Sequence, residues 1–550
     1  MRKLSQLVVL IWVGWACGDP NDARVAPCTA ANSTMLGAIN LAAYNTITPN
    51  ANGCVLFAAN TSPDTIEYVV VAQSVSGGPN RTANFRLAGE AMMVGAPLMS
   101  DVRQPQPLTP PEQFHLMLRE REAESAKLPR PQGIQPMLVS QGPPGLGDTR
   151  GFKVCSTISC VPPMTDVTAQ VKAVGQRVAI YVDVTAPATL TQGDYDSLVT
   201  VFDQRIYGVD TAAFGQPSDR DLNDVVMVLM TPQINRLVTA QACLATGFVA
   251  GYFFGNDLAP ALDANPNYNK GEVFYTIVPD PTGQYSCSHS ISRVKQLIPP
   301  VFVHELQHMI SFNYHVLIPG NSTTQTEVVW LNEALSHYAE ELAGRTYLPG
   351  DNATFSAYVT GNVRNAYAYM SGTGDNFLVY IFGQGTLAER GAGWLFVRFL
   401  VDQLAADTSM AAWNAVTRNL VQTTDLGITN IEGNTGVPFE QTVTHWALAL
   451  WVSDLPGFTA PPELRYRSWA FRTTYAALYP SVFARPYPLE PPVTSGADVE
   501  LTGTLKSGSG MYARVKHPPG AAAFTLQLAD ADGTTVDNGV APRLSVIRVR

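Results

Sequence analysis

Apolar residues fall in short runs between turn residues over the first and last parts of the chain, and at helical spacing in between. Residues 54–58 (CVLFA) and 68–72 (YVVVA) flank a turn-rich 60–64 (NTSPD), which predicts strands of a small β-sandwich. Residues 177–182 (RVAIYV) and 225–230 (VVMVLM) predict two further strands, the second entered through a polar turn at 219–224 (DRDLND). Helical periodicity follows around 297–314, 328–343, 392–406 and 437–452. Near 490 the strand pattern returns, at 499–505 (VELTGTL) and 524–528 (FTLQL). Strands first and helices second make the central part α+β. The stretch 104–150 stands apart, because Pro-rich ends bracket the charged run LREREAE at 118–124. It reads as an exposed connector carrying a short helix at most. The chain is therefore divided into an N-terminal β-sandwich-like domain (17–103), a Pro-rich linker (104–150), a main domain (151–485) and a C-terminal β module (486–550).

The first sixteen residues predict a processing signal rather than structure. Arg2 and Lys3 precede a short apolar run at 7–13, and Ala16 precedes Cys17. A Cys after a small residue resembles a bacterial lipoprotein signal, with Cys17 lipidated as the first mature residue; the other reading is plain export after Ala16. Either way the chain is exported, to the bacterial cell envelope or outer surface or to the medium. No later apolar stretch is long enough to span a bilayer, so the lipid is the only membrane contact expected. Six cysteines remain: Cys28, Cys54, Cys155, Cys160, Cys243 and Cys287. They allow 15 pairings. Export favours disulfides, and neighbour pairing (28 with 54, 155 with 160, 243 with 287) keeps each bridge inside one domain. With 550 residues, 46% hydrophobic and 15% charged, and a net charge of −10, the chain lacks the basic stripe that nucleic acid or anionic membranes would need.

The chemistry is concentrated in VFVHELQHMI at 301–310. His304 and His308 lie four apart, so on a helix both imidazoles project from one face and can bind one Zn²⁺. Pro299 and Pro300 are placed to open that helix. Glu305 is rotated away from the imidazoles and can take a proton from metal-bound water. The pattern H-E-x-x-H alone arises by chance on the order of once per hundred chains of this length, so its context matters. In VWLNEALSHYAEEL at 329–342, Trp330, Leu331, Ala334, Leu335, Tyr338, Ala339 and Leu342 share one broad helical face. Glu333, His337 and Glu340 share a separate narrow one, and burying such groups unpaired is costly. Two His and one Glu with an open position compose a catalytic zinc site. Three residues compete for the third position: Glu333, His337 and His315. The last stands one residue off the H-E-x-x-H-x-x-G-x-x-H pattern, with Ser311 where Gly would be.

H-E-L-Q-H followed by W-L-N-E-A-L-S resembles the gluzincins, zinc peptidases whose third ligand is a Glu on a later helix. More narrowly, VHELQHMISFN and WLNEALSHYAEEL resemble the hyicolysin family of bacterial neutral metallopeptidases, over about 175–455. The resemblance implies a gluzincin-like peptidase domain, β-rich then helical, flanked by small β domains. It implies His304, His308 and Glu333 as ligands of one catalytic zinc and Glu305 as base, acting on protein or peptide. Thermolysin-like gluzincins have Asp four residues after the ligand Glu, orienting a zinc-bound His. This chain has His337 there, so the residues behind the ligands must differ; His337 and Glu340 are the candidates. Tyr380, Arg390 and His315 are candidate donors to the developing oxyanion. A non-peptide metallohydrolase and a non-catalytic adhesion lipoprotein are the alternatives. The 219–224 turn begins D-x-D-x-N, as calcium loops do, but lacks their Gly at the sixth position and Glu at the twelfth; a strand-entry turn explains it better.

Overall fold

The computed structural model describes residues 25–36, 39–92, 107–129, 142–319 and 325–550. The signal-like segment and Cys17 lie outside the described residues. The fold is mixed α+β, built from three sheets and a helical body.

The two terminal β regions, expected as separate units, form one sandwich. Its strands are β1 (Thr34–Leu36), β2 (Tyr44–Ile47), β3 (Cys54–Phe57), β4 (Ile66–Ser74) and β5 (Thr82–Gly89) from the start of the chain. The central sheet supplies β6 (Thr149–Val154), β7 (Thr165–Val174), β8 (Val178–Asp183), β9 (Val226–Met230), β10 (Gly251–Phe253) and β11 (Val273–Thr276). The end of the chain returns to the sandwich with β12 (Val493–Ser495), β13 (Glu500–Lys506), β14 (Gly510–His517), β15 (Phe524–Ala529) and β16 (Pro542–Arg548). One sandwich sheet runs β1-β3-β15-β5-β13 and the other β12-β14-β4-β16-β2. Early and late strands interleave because neither set alone supplies partners for its own edges. β4 is buried at every position. Tyr68, Val70 and Ala72 fill the sandwich core, while Val69 and Val71 join the core of the helical body. A strand covered on both faces reads as a continuous apolar run.

In the central sheet the order is β10-β11-β9-β8-β7-β6. β8, β9 and β11 are parallel neighbours, and β10 closes one edge antiparallel to β11. Six helices matter for the site: α1 (Pro110–Ala126), α2 (Ile291–Phe312), α3 (Val329–Arg345), α4 (Asn352–Ser371), α5 (Leu387–Leu404) and α6 (Phe439–Val452). The last five contain the four expected helices. α2 nevertheless starts nine residues before the proline pair, at an N-cap Ser290 whose side chain accepts from the Arg293 N–H at 3.2 Å; Pro299 and Pro300 lie inside it. α3 is buried on nearly all sides. Its register is held by a fully buried ion network, in which Arg398 of α5 donates to Glu341 at 3.2 Å and to Asp402 at 2.9 Å, and Trp394 donates to Glu341 at 3.0 Å. Gly391 lets α5 approach α4, since a Cβ there would lie 2.2 Å from the Asn365 backbone.

The stretch expected as an exposed connector contains α1, a buried helix. Thr109 and Glu112 form a capping box around Pro110 and Pro111, and Phe114, Leu116 and Leu118 are buried. Its flanks at 93–106 and 130–141 lie outside the described residues. The six cysteines fall at disulfide distance in the neighbour pairs Cys28–Cys54, Cys155–Cys160 and Cys243–Cys287.

Candidate metal centre

α2 and α3 pass each other so that His304 of α2 meets Glu340 of α3, and His308, one turn on, meets Asn332 and Ser336. Between these pairs the two imidazoles turn their Nε2 atoms inward, 3.2 Å apart. Glu333 completes a triangle, with Oε2 3.7 Å from His304 Nε2 and Oε1 3.5 Å from His308 Nε2. Donors bound tetrahedrally at 2.0–2.1 Å from one metal lie about 3.3 Å apart, so the triangle has the right size for a single ion. Glu333 is 1% exposed, yet among the described residues neither carboxylate oxygen has a hydrogen-bond partner and, besides the two imidazoles, only Arg390 pairs with it. A carboxylate in that state is a costly thing to bury unless something else binds it. The donor set therefore fits zinc.

The outer nitrogens are equally well defined. His304 Nδ1 lies 2.7 Å from Glu340 Oε1, and His308 Nδ1 lies 3.1 Å from both Asn332 Oδ1 and Ser336 Oγ. Donating Nδ1–H to these oxygens leaves Nε2 as the lone pair that faces the metal position. Glu340 also takes His337 Nδ1 at 2.9 Å. His304, His337 and Glu340 thus form a second cluster of metal-ligand atom types. There, one carboxylate oxygen already satisfies two imidazoles, so the cluster is explained without an ion, unlike the trio around Glu333.

Arg390 of α5 places Nη1 3.2 Å from Glu333 Oε2. Burial alone would raise the Glu333 carboxyl; the Arg390 guanidinium and the two imidazoles outweigh it and hold the group well below the usual range. Glu305 is buried, and its Oε2 accepts from the Phe253 N–H of β10 at 2.9 Å. Burial pushes its carboxyl up to about 8, against the opposing pull of Arg119 and the Phe253 N–H. A cavity of about 340 Å³ opens beside this group. It is lined by His304, Glu305, His337, Glu340 and Arg390, by Gly251 of the edge strand, and by His115 of α1.

α1 contributes residues that sequence reasoning missed. Arg119 donates to the Phe253 carbonyl and to Glu122, both at 2.8 Å, and Glu122 accepts from the Gly255 N–H at 2.7 Å. Gly255 must lack a side chain, because a Cβ would meet Phe312 at 2.7 Å and Glu122 at 2.9 Å. The pair therefore braces the end of the edge strand that holds Glu305. His115 faces the metal centre closely enough that Arg390, Glu333 and His304 all influence its charge, and burial drives its imidazole well below the ordinary value.

The remaining sequence candidates separate clearly. His315 is buried elsewhere, with Nε2 4.0 Å from Glu327 Oε2 and no hydrogen bond at either nitrogen. Tyr380 is buried near Arg390 and Glu333 but does not line the cavity. Of the three candidate oxyanion donors, only Arg390 lines it. No protein-family model matches the chain, and no curated protein matches it.

Proposed function

We propose that the chain is a zinc-dependent endopeptidase of the gluzincin kind, with His304, His308 and Glu333 as ligands and Glu305 as base. The observation that carries this reading is the convergence of three donors, 3.2–3.7 Å apart, on a point beside Glu305, with neither Glu333 oxygen hydrogen-bonded among the described residues and Arg390 its one ion-pair partner besides the two imidazoles. When bound, zinc polarises the scissile carbonyl and acidifies the attacking water toward a pKa of about 7. Glu305 accepts the proton of that water. A carboxylate beside that water can take its proton and return it to the leaving amine. The Phe253 N–H orients its second oxygen. Arg390, at the cavity wall, is the donor placed to stabilise the developing oxyanion. Glu340, Asn332 and Ser336 fix the tautomer and tilt of the two imidazoles. The edge strand, the motif helix and a later ligand-bearing helix support the gluzincin assignment.

Casein cleared by the purified protein, and not after zinc chelation, is the test. Glu305→Gln should keep its zinc while losing at least ~10²-fold in turnover. Zinc-dependent hydrolysis of esters without hydrolysis of casein would instead establish the non-peptide hydrolase. Absence of zinc and of any hydrolysis would leave the adhesion reading. We propose in addition that the protein is exported and lipidated at Cys17, supported by its signal-like start and by six cysteines at disulfide distance. Fatty-acid labelling should mark the wild type and miss Cys17→Ser; equal labelling of both would refute lipidation there.

A further inference from the structure

Three acidic side chains that the zinc reading does not use come together where β9 and β11 begin side by side. Asp219 and Asp221 lie in the loop before β9, and Glu272 immediately precedes β11. One carboxylate oxygen from each falls within 4.8 Å of the other two. Asp219 is exposed, whereas Asp221 is 5% and Glu272 1% exposed.

Local hydrogen bonds account for only part of these oxygens. Asp219 Oδ1 accepts from the Asn223 N–H at 3.0 Å, as a strand-entry turn requires. Asp221 Oδ2 accepts from Asn223 Nδ2 at 2.8 Å, and Glu272 Oε1 accepts from Ser218 Oγ at 2.6 Å and Arg220 N–H at 3.0 Å. Asp221 Oδ1 and Glu272 Oε2 are buried and have no hydrogen-bond partner among the described residues. Arg150 pairs with the cluster, its Nη1 standing 3.6 Å from Asp221 Oδ2. Arg220 is turned away toward Asp263. Three carboxylates thus face one guanidinium, and two buried oxygens lack a donor. The turn accounts for Asp219 Oδ1 and Glu272 Oε1 but leaves Asp221 Oδ1 and Glu272 Oε2 without a donor.

We propose that Asp219, Asp221 and Glu272 bind a divalent cation of the calcium class, independently of the zinc centre. Ca²⁺ binds oxygens at about 2.3–2.6 Å in a flexible, often irregular geometry, whereas Mg²⁺ demands a near-ideal octahedron and keeps several of its waters. All-oxygen, carboxylate-rich donors suit a hard cation and not zinc. An exposed Asp219 leaves room for the waters that fill the remaining positions. The ion ties the start of β9 to that of β11, whose second residue, Phe274, pairs with Phe253 of the edge strand.

The test is calorimetric titration of the full chain with CaCl₂, alongside thermal denaturation in CaCl₂ or MgCl₂. A dissociation constant on the order of 10⁻⁴–10⁻³ M is expected, as in extracellular calcium modules, with a melting temperature raised by calcium more than by magnesium. Asp219→Asn, an exposed change that keeps the turn's acceptor, should weaken binding at least ~10-fold while the zinc content stays unchanged. Glu272→Gln should do the same; should that buried change impair folding, Asp219→Asn still decides. No calcium-dependent heat or melting shift at about 10 mM, or wild-type affinity in Asp219→Asn, would overturn the proposal. An equal response to magnesium would overturn the calcium assignment.

Discussion

Replacing Arg119 with Met tests whether α1 is a working part of the body rather than a removable connector. The change keeps the apolar stem and removes the charge that pairs with Glu122 at 2.8 Å, where the two side chains are 5% and 3% exposed. Removing one partner of a buried pair typically costs about 3–5 kcal/mol, because the other charge is left uncompensated. Glu122 has a partial escape. Burial already pushes its carboxyl up to about 7, against Arg119 and the Gly255 N–H, so it can bind a proton near neutrality. The expected loss is therefore near the lower end, about 3 kcal/mol. The sign with pH follows from linkage. A carboxyl raised in the folded state loses stability as pH rises from the unfolded value toward the folded one, and without Arg119 the folded value rises further. The deficit of Arg119→Met should thus be larger at about pH 8.5 than at about pH 6. Adding Glu122→Gln removes the stranded charge and keeps an acceptor for Gly255, so the double variant should recover at least about half of the loss. Urea denaturation followed by tryptophan fluorescence, in a Glu305→Gln background that lacks the proposed base, gives the numbers. A single variant within about 1 kcal/mol of its parent, or a double variant no better than the single, would refute the reasoning.

Glu340→Ala should weaken zinc binding or activity roughly 10–100-fold, measured by metal content after dialysis against graded chelator, because His304 loses the acceptor that sets its tautomer. Undiminished zinc would contradict it. Glu333→Ala should lose most bound zinc and His315→Ala should retain it; full zinc in the first, or none in the second, would mean the ligand set is wrong. Asp210 is fully buried with neither oxygen hydrogen-bonded, and burial raises its carboxyl well above the ordinary value. The unfolded chain releases this proton near pH 3.8 while the native state holds it, so stability falls by about 1.4 kcal/mol per pH unit across the gap. Asp210→Asn should therefore gain in melting temperature over the wild type progressively as pH rises above about 5, and a gain independent of pH would count against it.

How much of the fold the sequence reveals depends on how local the governing interaction is. The helical interiors of α2, α3, α5 and α6 were readable, because 3.6-residue spacing is imposed by the face each helix buries. Where α2 begins was not, since Ser290 caps it and the prolines that suggest a start lie inside. The strands of the sandwich were readable one by one, but their partnership was not. Residues 82–88 pair with 500–506 across more than 400 positions, and alternation carries no information about which edge meets which. α1 was misread for another reason. A run such as LREREAE looks solvated, yet Arg119 and Glu122 neutralise each other inside the protein. The signal that could have found it was Thr-Pro-Pro-Glu at 109–112, a capping box with prolines in the first turn.

At the candidate metal centre the same distinction separates the proposed ligands from the residues behind them. Four-residue spacing puts His304 and His308 on one face whatever surrounds them. The polar stripe of α3 places Glu333, His337 and Glu340 together for the same local reason. Which of the three touches which imidazole depends on how the two helices pass. They run in opposite senses here: His304 meets Glu340, whereas His308, one turn further along α2, meets Asn332 and Ser336, one to two turns earlier in α3. That crossing puts Glu340, not residue 337, against His304 Nδ1. His337 can then occupy the position four residues after the ligand Glu without orienting a ligand itself, because Glu340 accepts from both imidazoles. Its Nε2 is left without a partner at the wall of the cavity, beside His304 and Glu305. The carboxylate that holds His304 thus stands one turn along the helix from residue 337, and an imidazole faces the cavity instead.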